Sequence, residues 1–187
     1  GVFAMWFQHA EVSSDNMLRV LSALRQEFKH VLVIETDSTD ICALASDEPL
    51  EIKLDTMAKS FADKKVATAL ANFELNSAED VAARVCLASS QVDKLVKEVP
   101  PNSDDVNHLE YDVAKTYEQR HFISESCDFL LNNGGPLWDT VNWGDMPAAA
   151  KASKMAEIAE RCIKLNAKRA IKWCDESNKV QPNARAF

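Results

Sequence analysis

Two polar clusters carry the residue types that could do chemistry in this chain. Gln8-His9-Ala10-Glu11 directly follows an apolar run, and Asn102-Ser-Asp-Asp105 precedes His108-Leu-Glu-Tyr111. A carboxylate beside an amide can receive and deprotonate an amine, because an acceptor-only group offsets a cation's charge. Gln8, Glu11, Asp104 and Asp105 are therefore the candidate substrate-binding residues. The same groups also serve plainer ends: residues 8–11 suit a solvated strand-to-helix loop, and Asn102–Asp105 suits a turn that caps a helix. The four histidines (His9, His30, His108 and His121) are scattered and assemble no nucleophile–base pair.

Much familiar chemistry is excluded. The only glycines are Gly1, Gly134, Gly135 and Gly144, so no glycine-rich phosphate loop of either common spacing can form. No HExxH, calcium-loop or CxxC pattern occurs, so no metal site is expected, and no residue of this chain is assigned to catalysis or to a cofactor. The five cysteines, Cys42, Cys86, Cys127, Cys162 and Cys174, sit in apolar or helical contexts. They read as small buried hydrophobes in a reducing, cytoplasmic compartment. The net charge of −8 is uneven: residues 1–110 carry 10 Lys+Arg against 19 Asp+Glu, and residues 111–187 carry 11 against 10. That balance argues against a nucleic-acid partner. No apolar run is long enough for a membrane span, and residues 1–8 lack the basic flank of a signal peptide. The apolar opening, with no Met at position 1, suggests a segment of a longer protein.

The elements that must position the clusters follow from periodicity. Val2–Gln8 is a continuous aromatic-rich run, read as a buried strand. Ser13-Ser-Asp-Asn16 starts a helix whose stripe is Met17, Leu21, Leu24 and Phe28. His30–Thr36 is a second strand, and Ile41–Ser46 a third after the tight turn Asp37–Asp40. The long crossover makes the first two strands parallel, and the short turn makes the third antiparallel to the second. Beyond Leu54 the pattern is helical: a stripe of Phe61, Val66, Leu70 and Phe73, a start box at Ser77–Asp80 ahead of Val81, Val85 and Leu87, and a short helix stopped by Pro100-Pro101. Helix resumes from about 110 to 131, and a long helix runs from about Pro147 to Ser177. That last helix carries an alanine-rich stripe and the i,i+4 pairs Glu157/Arg161 and Glu160/Lys164.

With these residues in view, the chain resembles the spermidine/spermine synthase (polyamine aminopropyltransferase) family, in particular its longer bacterial spermidine-synthase-like members. Ala4-Met-Trp-Phe-Gln-His-Ala-Glu-Val-Ser13, Phe28-Lys-His-Val31, Leu44-Ala-Ser-Asp-Glu-Pro-Leu50, and Asn102-Ser-Asp-Asp105 with Leu109-Glu-Tyr111 carry the likeness over residues 1 to about 115. Met5 stands where the family commonly has a glutamine. The resemblance implies an α/β fold made of the last three strands of a methyltransferase-like Rossmann sheet, two parallel and one antiparallel. It divides the chain into 1–115, the C-terminal half of that domain, and 116–187, an all-helical extension.

The resemblance further implies that the longer protein transfers an aminopropyl group from decarboxylated S-adenosylmethionine to a polyamine, with the cofactor loop and catalytic aspartate upstream. The chain alone would be inactive, its partner being the upstream part of the same protein. A homodimer through the Val2–Gln8 edge is a second expectation. The alternative is a helical interaction module or a non-catalytic relative, with the alanine stripe as its docking face.

Overall fold

The computed structural model describes residues 1–8, 12–37, 40–117, 129–130, 132–133 and 137–182. It is a mixed α/β structure: one four-stranded sheet and, among the described residues, eight α-helices. Two compact units form, and neither is a continuous stretch. The first comprises residues 1–50 and 85–135, the second residues 51–84 and 136–187. The boundary expected at residue 115 falls inside the first unit. Among the described residues no helix is long and apolar enough to cross a membrane.

In the first unit, β1 (Phe3–Gln8) leads to α1 (Ser14–Glu27), β2 (His30–Glu35), β3 (Asp40–Ser46) and, after residues 51–84, β4 (Val85–Leu87). The strand order is β1-β3-β2-β4, and every ladder is antiparallel. The expected parallel neighbours are therefore absent. β1 and β2 both oppose β3 and so point the same way, but they share no hydrogen bonds. The reason is the tight turn: Thr36 N–H and Asp37 N–H both donate to Asp40 O, at 2.9 and 3.4 Å, folding β3 straight back along β2. β1 is left only the far edge of β3.

The stripe expected on α1 packs where period 3.6 puts it. Ser13 accepts from Asn16 N–H at 3.3 Å to start the helix. Met17, Leu21 and Leu24 then bury against Val31 and Val33 of β2 and Ile41, Ala43 and Ala45 of β3, with Phe28 half-buried beside them. α5 (Ser89–Val96) adds Val92 and Val96 to the same face. A fully buried medium-sized apolar side chain stabilises by about 1.5–3 kcal/mol, so this layer holds the sheet.

β4 was not expected. Val81, Val85 and Leu87 suggested one helical stripe, but α4 (Ala78–Ala83) ends at Arg84. Val85, Cys86 and Leu87 are all buried. Three consecutive buried residues suit a strand covered on both faces and defeat any single helix face.

The second unit is helical. The segment read as one stripe through Phe73 is α2 (Leu54–Phe61) and α3 (Lys64–Ala71), broken by Asp63, which caps α3 through Lys65 N–H at 2.8 Å. Phe73 is 68% exposed and lies beyond the end of α3. The long helix expected from Pro147 to Ser177 is two: α7 (Ala148–Cys162) and α8 (Ala167–Val180). Leu165 and Asn166 N–H both fold back on Cys162 O, and Asn166 then caps α8 through Arg169 N–H at 2.9 Å. The alanine stripe is consumed inside this unit: Ala152, Ala156, Ala159 and Ala170 are buried. Ser177 Oγ donates to Ala152 O at 2.7 Å across the hairpin. Glu157/Arg161 is present at 3.8 Å, whereas no Glu160/Lys164 ion pair is found among the described residues, α7 ending before Lys164.

Candidate functional site

Gln8 is the last residue of β1 and is exposed. The antiparallel register sets it opposite Asp40, the first residue of β3, so amide and carboxylate share one face at the carboxyl end of β1. That face follows from the period of two. Met5 and Phe7 pack towards α1, while Ala4, Trp6 and Gln8 lie on the other side with Leu44, Cys42 and Asp40. Asp40 is held by its own turn, donating its N–H to Asp37 Oδ1 at 3.0 Å. Asp40 was missed in the sequence because the sheet order was. Given β3 beside β1, the first residue after the turn must meet the last residue of β1.

Glu11 lies outside the described residues, as do His9, His121, Cys127, the expected helix from 118 to 128 and Gly134–Pro136 of the expected turn.

Asp104 and Asp105 sit in a tight bend and are exposed. Ser103 and Val106 close the bend through their main chains at 3.1 and 3.4 Å. The capping duty that the aspartates might have served falls to their neighbours. Asn102 Oδ1 accepts from Leu109 N–H at 3.0 Å, and Asn107 Oδ1 accepts from Glu110 N–H at 3.2 Å, together starting α6 (His108–Tyr117). Both aspartate carboxylates are thus left facing water.

What the two clusters share is α1. Asn102 N–H donates to Arg19 O at 3.1 Å, and Asn16 Nδ2 donates to Asp112 Oδ2 at 3.5 Å. The loop of Asp104 and Asp105 is thereby tied to the first turns of the helix that follows β1. Among the described residues no hydrogen bond joins Gln8 to either aspartate.

The first unit carries 7 Lys+Arg against 17 Asp+Glu, and the second 14 against 12, so the acidity of the chain resides in the unit that holds these residues. Such a field favours a cationic ligand over an anionic one. The described cysteines are free. Burial pushes the Cys42 thiol up, only partly countered by a hydrogen bond with the Met5 main chain. Cys174 is raised by burial and by Glu160 and Asp175. Among the described residues no group of His, Cys, Asp and Glu could hold a metal ion.

No protein-family model, curated protein or solved structure matches the chain.

Proposed function

We propose that the first unit is the C-terminal part of the methyltransferase-like sheet of a spermidine-synthase-like protein, and that it supplies one wall of an amine-binding cleft. The observation that carries this reading is the order β1–α1–β2–β3. A crossover helix joins two strands that point the same way, β3 turns back between them, and Gln8 and Asp40 meet at the carboxyl end of β1. In open α/β sheets the crevice beyond the carboxyl ends of the strands is where ligands sit. There Gln8 offers a carbonyl, Asp40 a carboxylate, and the acidic unit around them a field that attracts an amine. Asp104 and Asp105 belong to the same wall in this reading, and Glu11 remains a candidate from the sequence alone. Aminopropyl transfer from decarboxylated S-adenosylmethionine would need upstream residues to hold the nucleoside. The chain alone binds amine weakly and catalyses nothing.

Two measurements test this. Titration of the isotope-labelled chain with spermidine should move the amide resonances of Gln8, Asp40 and the Asp104–Asp105 bend, with Asp40→Asn abolishing the response at Gln8. Uniform small shifts over the acidic surface, or none, would overturn the wall. Calorimetry with methylthioadenosine should show no binding, and micromolar affinity would overturn the assignment of the nucleoside site to upstream sequence.

A further inference from the structure

The face of the sheet that carries Gln8 and Asp40 changes character one step inward. The period of two sets Trp6 beside Cys42 and Cys42 beside Ile34, then Ala4 beside Leu44 and Leu44 beside Leu32. Residues two apart on a strand are separated by about 7 Å, so Trp6 stands one such step from Gln8. Trp6 is 58% exposed and Ala4 is exposed as well, while Cys42, Leu44 and Ile34 are half-buried. On the side of α1, by contrast, Ile41, Ala43 and Ala45 are wholly buried. One face of β1 and β3 is therefore packed. The other is a half-open apolar strip with one polar end.

The charge of this strip is confined to that end. Apart from the Cys42 thiol, neither inner rung carries an ionisable side chain. The polar end holds the Asp40 carboxylate, in the unit that carries 7 Lys+Arg against 17 Asp+Glu. The complement of such a surface is a cation with hydrocarbon on one side of it. A second ammonium at the far end of that hydrocarbon would lose water over Trp6 and Ala4 and meet no carboxylate there. The indole face offers a cation less than a carboxylate does.

We propose that this face binds a primary monoamine, its ammonium at Gln8 and Asp40 and its hydrocarbon chain along Trp6 and Cys42 towards Ala4 and Leu44. Trp6 then selects the amine by its chain and not by its number of charges. This specificity rests on the amine-binding reading of Gln8 and Asp40, and names the amine that wall takes. A polyamine engages it through one ammonium and the methylenes next to it. The acidic field alone orders ligands the other way, since it attracts a dication more strongly than a monocation.

The test titrates the full chain by calorimetry with methylamine, butylamine, hexylamine and hexamethylenediamine at one ionic strength. Hexylamine should bind about tenfold or more tightly than methylamine, and no less tightly than the diamine. Trp6→Ala, at an exposed position, should remove most of that gain, while methylamine still moves the Gln8 amide resonance; Trp6→Phe should keep it. A diamine bound about tenfold more tightly than hexylamine overturns the proposal. So does a gain with chain length that Trp6→Ala leaves untouched. In both cases amines still bind, and the wall itself stands. If no amine moves the Gln8 resonance, the wall and the monoamine specificity fall together. Sedimentation showing a dimer that Trp6→Ala dissociates would give the strip to a second copy of the chain, and would overturn the proposal too.

Discussion

The ammonium of Lys154 on α7 lies 2.7 Å from a carboxylate oxygen of Glu79 on α4 and 2.9 Å from one of Glu157. Arg161 extends the chain of charges to Asp80 at 3.2 Å and back to Glu157 at 3.8 Å. α4 is thus clamped to α7 by alternating charges above a layer of alanines, where the small side chains let the two helices approach closely.

The clamp predicts a pH dependence. Burial raises Glu79, but its hydrogen bond and charge interaction with Lys154 more than offset this and hold the carboxyl below its ordinary 4.5. Burial lowers Lys154, and Glu157 and Glu79 more than offset it, leaving the amine above 10.5. The Glu79 contribution is full above pH 4.5 and is lost as pH falls through its depressed value. The Lys154 contribution is full below 10.5 and is lost as pH rises through its raised value. Lys154→Met should therefore cost about 1 kcal/mol at pH 7 and progressively less below pH 4.5. Urea unfolding at pH 7 and at about pH 3 would check it; an equal deficit at both would show that the loss is one of packing.

Trp173 and Trp138 should respond differently to loss of the indole nitrogen. Their rings meet at 5.4 Å, and both are buried. Trp138 Nε1 donates to a Glu176 carboxylate oxygen at 2.6 Å, whereas Trp173 Nε1 is buried with no hydrogen-bond partner among the described residues. Both changes to Phe remove similar volume. Trp138→Phe also strands a carboxylate, so it should be the more destabilising by about 1.5–3 kcal/mol. Denaturant midpoints of the two variants decide the matter, and equal midpoints would mean that the Glu176 contact contributes nothing.

Trp6→Lys should improve solubility without loss of fold. Phe3 and Trp6 are 47% and 58% exposed on a strand whose far edge has no described partner strand, Val2 just before it is 59% exposed, and no charged residue occurs among residues 1–8. An open apolar edge invites pairing with other chains, and an edge lysine opposes it. Light scattering during heating should begin at higher temperature in the variant. An unchanged onset would place the aggregating surface elsewhere.

The helices and strands of the first unit were legible as far as β3, because each carries a clean local signal: the cap at Ser13, the stripe of Met17, Leu21 and Leu24, the turn at Asp37. Strand order was not legible, since it depends on which edge of β3 meets β1, and no residue of β1 encodes that by itself. The break between α7 and α8 was hidden by the alanine stripe. Both helices bury alanines, so the apolar pattern runs on across Asn166, and only the cap marks the turn. Of the candidate residues, Gln8 was placed correctly at a strand end. Its neighbour Asp40 stayed invisible until the register was known. The left-handed Glu74 (φ 57) just beyond α3 has no sequence signal, because glutamate is an ordinary helix former.

The interleaving of the two units constrains the route by which the chain reaches its structure. Among the described residues, the β2–β3 hairpin is the sheet's only pairing between strands joined by a short turn. β4 can join β2 only after residues 51–84 have been looped out, and α4 within that loop finds its mate in α7, far along the chain. Loop closure is entropically costly before its contacts form, so we expect the hairpin with α1 to assemble first, and β4 and the second unit's helices together and late. Pulse-labelled hydrogen exchange in which the Val85–Leu87 amides gain protection before those of the hairpin would contradict this order. A cut at residue 135 would accordingly do more than remove a tail: it would leave α2, α3 and α4 stranded on the retained half, without the helices that cover Ala78, Ala82 and Ala83.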